Sequence, residues 1–198
     1  MTAQTGDKFN FNGEMHSIVA MSAPLRFNPG KYGIMPESAC TACWRGFWCV
    51  YNITDEGIFL NELYINSHND RYPEIEGILP EKDPNGEGDL KYMGHHVYKN
   101  LNIKMNFSGK LLVGSGFISK YYIHMGFQRA WAYEVLTELV FDEGNLIETN
   151  DHSDIAADLR KKIGTAKVFP SSFFPKRDFV SDSFSLEYGD KAWWLNHR

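Results

Sequence analysis

The chain has 198 residues, of which 43% are hydrophobic and 23% charged, and its formal net charge is −5. This length and composition suit a folded protein with one buried core, and they exclude a wholly disordered chain. Because the chain is acidic and has no long Lys/Arg tract, we do not expect nucleic acid to be a partner.

The sequence shows no targeting or membrane segment. Residues 1–7 lack a basic stretch followed by an apolar one, and no 18 apolar residues run together. We therefore predict neither a secretory signal nor a membrane-spanning helix. A cytoplasmic protein without a membrane partner is expected, unless a leader sequence was removed.

β-structure is predicted to begin near residue 8. Asn12-Gly13 separates residues 8–11 from 14–21. Asn-Gly is the strongest two-residue hairpin signal, because a type I′ turn needs positive φ at both positions. Residues 22–46 are punctuated by Pro and Gly and are predicted to be irregular.

Three cysteines, Cys40, Cys43 and Cys49, lie at the end of this irregular stretch and just beyond it. Cys-x-x-Cys is half of a zinc knuckle, but no second Cys-x-x-Cys and no His-x₃₋₅-His follows it. We therefore expect no metal and no cofactor, and we interpret the cysteines as small buried hydrophobic residues. They are nevertheless the candidate metal ligands of the chain.

A cysteine nucleophile is the alternative use of this segment. Arg45 lies close enough in sequence to lower the pKa of the Cys40 or Cys43 thiol. A nucleophile also needs a base, and the candidates are His124 and His152. Because one sequence does not bring these groups together, it favours a protein that is not an enzyme.

The tripeptide Asp-Glu-Gly occurs twice, each time between two runs that alternate with period two. Residues 55–57 separate runs 48–54 and 58–66, and residues 142–144 separate runs 135–141 and 145–150. A short acidic loop that ends in Gly suits a type I turn closed by a residue at positive φ. We therefore predict two hairpins, as matched turns of one antiparallel sheet.

The stretch 68–101 is rich in Pro and Gly and has little periodicity. Loops of this length in a compact domain are usually functional or disordered. Because the hairpins before and after it are alike, we interpret residues 1–198 as one domain with a long irregular excursion at about 68–101.

Residues 110–125 alternate like one long strand or two joined strands. Gly114 and Gly116 fall on the same face. Such a pair indicates that another backbone, an aromatic ring or a ligand approaches closely, or that the sheet bends there.

One helix is predicted at about 153–163. Ser153 is a good N-cap, apolar residues recur at four-residue spacing, and basic residues complement the dipole of the last turn. Capping also explains Asp151-His152-Ser153 better than a catalytic triad does, because neighbouring side chains diverge. The expected fold is mainly β: an antiparallel curved sheet, sandwich or open barrel built from hairpins, with this short helix.

Aromatic residues make up 15% of the chain. They fill the cores of β proteins, but Trp, Tyr and Arg also dominate binding hot spots. Because chain ends fray unless they are docked, a tryptophan pair near the end indicates contact with this chain or another. The candidate binding residues are Trp44, Arg45, Trp48, Tyr122, His124, Trp193 and Trp194.

Three classes of function remain open. The first is a non-catalytic binding protein that engages a protein partner, or further copies of itself, through an aromatic surface; the acidic charge favours a basic partner. The second is a barrel-like binder of a small apolar or aromatic ligand. The third is a Cys/His hydrolase or zinc-site protein. We favour the first, because the sequence contains no complete catalytic constellation.

Overall fold

The computed structural model describes residues 3–163 except 26, 39, 84–94 and 125. Ten β-strands form one mixed, mostly antiparallel sheet that is not closed, and a single α-helix follows them within the described residues. The predicted mainly β class with one short helix is confirmed. None of the helices in these residues is long and apolar enough to cross a membrane.

The order of the strands across the sheet is β10-β9-β8-β2-β1-β3-β4-β6-β5, and β7 pairs with β4 beside this path. Neighbouring strands are antiparallel except β1 and β3, which are parallel. The elements are β1 (Lys8–Phe11), β2 (Glu14–Met21), β3 (Phe47–Thr54), β4 (Gly57–Ile65), β5 (Glu81–Asp83), β6 (His95–Tyr98), β7 (Ile103–Lys104), β8 (Gly109–Phe117), β9 (Tyr133–Asp142), β10 (Asn145–Asp151) and α1 (Ser153–Ile163).

The β1–β2 turn has the geometry that Asn-Gly predicts. Asn12 and Gly13 have φ values of 52° and 79°, both positive, as a type I′ turn requires. The register that follows pairs Phe11 with Glu14 and Lys8 with Ser17. This hairpin therefore fixes which side chains lie side by side on the two strands.

The two Asp-Glu-Gly turns both join hairpins, but their geometries differ. In the first, Thr54 pairs with Gly57, whose φ of 121° closes the turn as predicted. In the second, Asp142 pairs with Asn145, and the turn is Glu143-Gly144. Both turn residues have positive φ, 47° and 86°, so this turn is of type I′ and the expected type I turn is wrong.

The tips of these two hairpins touch each other, although β4 and β10 are far apart in the order of strands. The Ile58 amide donates to the Gly144 carbonyl at 2.9 Å. Residues 103–107 join them further, because the Met105 amide donates to Ile58 O and the Gly144 amide donates to Phe107 O. The sheet is therefore curved enough to bring distant strands together over a common core.

The concave side of the sheet holds the largest buried cluster. It contains residues from seven strands and from the segment that joins the two hairpin tips. Fully or almost fully buried members are Phe9, Ile18, Cys49, Tyr51, Ile58, Leu60, Leu63, Leu111, Val113, Leu139 and Phe141. A second cluster packs α1 against the other side, through Leu112, Leu136, Ala156 and Leu159.

Two stretches differ from their sequence interpretation. The excursion at 68–101 contributes β5 and β6 to the sheet, so part of it is regular. The strand expected at 110–125 ends at Phe117, and a short 3-10 helix over Ser119–Tyr121 follows. Gly116, at φ 68°, precedes this change of direction, and the ring of Tyr133 lies against Gly114. An aromatic ring is therefore the close neighbour that Gly114 admits.

Replacing Gly144 with alanine tests the contact between the hairpin tips. A Cβ at Gly144 would lie 2.7 Å from the Met105 carbonyl oxygen, whereas a Cβ at Gly13 would meet nothing within 4 Å. Both residues have positive φ, so Gly13→Ala carries only the backbone strain, about 1–2 kcal/mol. We expect Gly144→Ala to lower the free energy of unfolding by at least about 1 kcal/mol more, because of overlap in a packed region. Equal losses in urea denaturation would contradict the tip contact.

Candidate functional site

An ion pair joins Asp7, the residue before β1, to Arg45, which lies in the turn before β3. Both guanidinium NH groups of Arg45 donate to the Asp7 carboxylate, and the Cys49 amide donates to the same carboxylate at 2.8 Å. Asp7 is 5% exposed, whereas 40% of the Arg45 side chain reaches solvent. The charge of Asp7 raises the pKa of Arg45 despite burial of its guanidinium, which lowers that pKa.

Arg45 makes two further contacts that hold its own turn. Its Nε donates to the Phe47 carbonyl at 3.0 Å, and its guanidinium lies 4.3 Å from the centre of the Phe47 ring. Each of its three nitrogen atoms therefore donates to this chain, to Asp7 or to the first residue of β3. Arg45 thus acts as a structural link in the chain, and the surface beside it belongs to its neighbour Trp44.

The thiols of Cys43 and Cys49 are buried. Cys43 Sγ donates to the Phe47 carbonyl at 3.5 Å, and Cys49 is completely buried in the same core cluster as Tyr51. Burial raises the pKa of Cys43 to about 11, although the charge of Arg45 acts to lower it. Burial, then the negative charge of Asp7, also raises the pKa of Cys49. Both thiols are therefore protonated at neutral pH and lack the character of nucleophiles.

The Cys-x-x-Cys motif forms a turn that presents Trp44 to solvent. The Cys43 amide donates to Cys40 O at 3.2 Å, and the Gly46 amide donates to Cys43 O at 3.0 Å. Cys40 and Cys43 pack in a small cluster on the sheet, whereas Trp44 is 57% exposed. The turn therefore buries Cys43, leaves Cys40 half-buried and exposes the indole of Trp44.

Gln4 joins this turn to the aromatic loop that follows β8. Its side-chain amide donates to the Thr41 carbonyl at 2.7 Å, and its Oε1 accepts from the Trp44 amide at 3.2 Å. On the other side, the Gln4 backbone amide donates to Gly126 O at 2.8 Å. The N-terminal segment thus lies between the two loops and brings them to the same end of the sheet.

The second loop carries Tyr122 and His124. Their rings meet edge to face with centroids 5.1 Å apart, and His124 is exposed. Gln128 holds the loop, because its side chain both accepts from the Ile123 amide and donates to the Ile123 carbonyl, at 3.0 Å each. We call Trp44, Tyr122 and His124, with Gln4 between their loops, the Trp44 surface.

The remaining sequence candidates lie elsewhere or outside the described residues. Trp48 is 5% exposed, and its ring stacks on Tyr64 with centroids 3.9 Å apart. It therefore supports the sheet and offers little surface to a partner. Trp193 and Trp194 lie outside the described residues.

Asp151-His152-Ser153 is a structural junction between β10 and α1. Ser153 Oγ donates to Asp151 Oδ1 at 2.5 Å and accepts from the Leu136 amide at 3.0 Å, which ties the start of α1 to β9. The prediction that the Ser153 side chain caps α1 is therefore wrong in detail. The Asp151 carboxylate accepts from the Ser153 amide, and the Ser153 hydroxyl is hydrogen-bonded to β9 instead. These hydrogen bonds give Ser153 a structural role.

Among the described residues, no group of three or more His, Cys, Asp and Glu side chains is placed to hold a metal ion. Comparisons with protein-family models, curated proteins and solved structures gave no match. The geometry of the chain is therefore the sole basis for a functional proposal.

Sequence reasoning missed Gln4 and Asp7, the two residues that organise this end of the molecule. Neither stands in a motif, and their partners lie about 40 positions away, at Trp44 and Arg45. The sequence signal nearest to them is Arg45 itself, because an arginine just before a buried strand needs a counter-charge.

Replacing Asp7 with asparagine tests the buried ion pair. The substitution removes the buried carboxylate that accepts from Arg45 and from the Cys49 amide. Because the Arg45 side chain that remains is 40% exposed, we expect the free energy of unfolding to fall by about 1.5–3 kcal/mol, the range for hydrogen bonds to a charged group. Asp158→Asn is the matched control, because Asp158 pairs with Lys161 where both side chains are well exposed. Its cost is expected to stay below about 0.5 kcal/mol. Similar losses of unfolding free energy in both variants would show that the Asp7–Arg45 pair contributes no more to stability than an exposed ion pair does.

The reactivity of the cysteines tests their burial. In native protein at pH 8 we expect iodoacetamide to modify half-buried Cys40 first, and Cys43 and Cys49 only slowly. With a pKa of about 11, roughly one Cys43 thiol in a thousand is ionised at that pH. Protein unfolded in urea, in which all three react, is the control. Peptide mass spectrometry that found native Cys43 modified as fast as Cys40 would contradict this account.

Proposed function

We propose that this chain is a binding protein that engages a protein partner through the Trp44 surface. The observation that carries the proposal is the indole of Trp44, which is 57% exposed on a turn whose backbone is fixed from both sides. Tryptophan is the residue most enriched at the energetic centres of protein interfaces. A large exposed aromatic group on a fixed backbone loses little conformational entropy on binding.

The contacts around Trp44 support this role. The Trp44 amide is held by Gln4, and Arg45, the next residue, is held by Asp7. Tyr122 and His124 belong to the loop on the other side of Gln4, and they add aromatic surface. This combination of one exposed tryptophan with a tyrosine and a histidine suits a small hot spot surrounded by polar backbone.

The filled interior weighs against a barrel-like ligand binder. Positions on the concave side of the sheet are occupied by large side chains, among them Tyr51, Leu60 and Phe141. An open depression beside the first Asp-Glu-Gly turn is lined by Thr54, Asp55, Glu56, Phe59 and Asn102. Ligand pockets are usually concave and mainly apolar, and this depression is open and acidic.

The proposed partner is a protein with an apolar cleft for the indole and a positive net charge. The chain carries a net charge of −5, so a basic partner would associate faster through electrostatic steering. Raising the salt concentration should then lower the association rate much more than it raises the dissociation rate.

The test compares Trp44→Ser with Leu79→Ser, a change at another large exposed apolar side chain. Leu79 is 69% exposed, so both variants remove a similar kind of surface. Proteins retained from a lysate of the source organism by immobilised wild-type chain are identified, purified and titrated against each variant. We expect Trp44→Ser to weaken binding at least about 30-fold, as for a hot-spot residue, and Leu79→Ser to leave it unchanged.

Two results would contradict the proposal. One is a partner that binds Trp44→Ser as tightly as wild type. The other is equal weakening by Trp44→Ser and Leu79→Ser, which would indicate general loss of solubility instead of a defined surface.

A further inference from the structure

Lys8 and Ser17 form a close pair on the adjacent strands β1 and β2, and neither residue belongs to the Trp44 surface. They are direct partners in the β1–β2 register, and Lys8 Nζ donates to Ser17 Oγ at 2.8 Å. Both residues are partly buried. A lysine amine within hydrogen-bond distance of a serine hydroxyl is the arrangement that a serine nucleophile with a lysine base requires.

Tyr133 completes a row of three polar side chains across the sheet. Ser17 pairs with Gly114 on β8, and the ring of Tyr133 lies directly against Gly114 where a side chain would otherwise stand. Burial raises the pKa of Tyr133, and Ser17 lies close enough to its hydroxyl to act in the opposite direction. Because Gly114 has no Cβ, the ring of Tyr133 can lie against this strand beside Ser17.

We propose that Ser17 is a nucleophilic serine, with Lys8 as its base and Tyr133 as its orienting partner, and that it accepts acyl groups from small esters. This activity goes beyond the proposed binding function and does not depend on it. The chain would then carry a chemistry at residues that no sequence motif marks.

The surroundings of Lys8 support its role as the base. Burial lowers the pKa of Lys8, and its register partners on the neighbouring strands are Ser17 and Val50, neither of which is charged. The nearest acidic residue along this row is Glu62, the β4 partner of Val50, and its carboxylate accepts from the Tyr64 hydroxyl at 2.8 Å. A lysine of lowered pKa has a larger neutral fraction near neutral pH, and the neutral amine is the form that accepts a proton.

Two apolar side chains beside the row are exposed to solvent. Met15, two residues before Ser17 on β2, is 53% exposed. The ring of Phe117 meets that of Tyr133 edge to face at 5.4 Å, and Phe117 is 38% exposed. These side chains favour an ester with a short apolar acyl or aryl group.

The reaction balances with an ester and water alone. Ser17 Oγ attacks the carbonyl carbon while its proton passes to the Lys8 amine, and the C–O bond to the leaving alcohol breaks as Lys8 returns that proton to the alcohol oxygen. Water then attacks the acyl-serine ester, giving its proton to Lys8. The carboxylic acid leaves, and Ser17 regains a proton from Lys8.

The experiment measures two reactions of the full chain: release of p-nitrophenolate from p-nitrophenyl acetate, and labelling by a fluorophosphonate, which transfers its phosphonyl group to serine and releases fluoride. We expect wild-type protein to be labelled at Ser17, as located by peptide mass spectrometry. Ser17→Ala should reduce both reactions to background, whereas Ser119→Ala, at an exposed serine in the loop after β8, should leave them unchanged.

Lys8→Arg distinguishes a role of Lys8 as the base from a purely structural role. Arginine keeps the positive charge and the donor to Ser17, but it stays protonated, so we expect both rates to fall about 100-fold. Lys120→Arg, at an exposed lysine, is the matched control. Circular dichroism and urea denaturation establish that each variant is folded.

The pH profile of the wild-type chain needs no variant. Its labelling rate should rise as Lys8 loses its proton, with a midpoint below 10.5, the ordinary value for lysine. The proposal is overturned if Ser17 is not labelled above background, if folded Lys8→Arg reacts like wild type, or if the rate does not rise with pH.

Discussion

One aspartate at the start of β1 is bonded to three parts of the chain at once. The carboxylate of Asp7 accepts from Arg45 and from the Cys49 amide, and its carbonyl accepts from the Ile18 amide. These bonds place β1 between β2 and β3 and fix the turn that precedes β3. The parallel pairing of β1 with β3, the exposed position of Trp44 and the alignment of β1 with β2 all depend on this one side chain and its backbone.

Local turn chemistry explains which parts of the fold were predictable from sequence. Asn12-Gly13 and the two Asp-Glu-Gly sites gave three hairpins, because turn residues at positive φ act over two or three positions. The meeting of Gly57 with Gly144 was not predictable, since it joins residues 87 positions apart through backbone atoms that every residue has. The parallel pairing of β1 with β3 was not predictable for the same reason, because it joins residues about 40 positions apart.

The candidate surface was partly visible in the sequence. Trp44 and Trp48 lie in one aromatic cluster, but the turn exposes the first and the strand buries the second against Tyr64. The polar row on β1 and β2 had a usable signal: a two-residue Asn-Gly turn fixes the register that pairs Lys8 with Ser17. The sequence contains no signal for the position of Tyr133, because its contact with Gly114 depends on how β9 enters the sheet.

We propose that a partner binds at the end of the sheet that carries Trp44, and a hydrogen-exchange footprint tests this directly. Amide exchange is compared between the free chain and the chain saturated with its purified partner. We predict slower exchange at residues 40–46 and 122–128, and unchanged exchange at the opposed hairpin tips, residues 55–57 and 142–144. Protection confined to the tips, with residues 40–46 unaffected, would contradict the central claim.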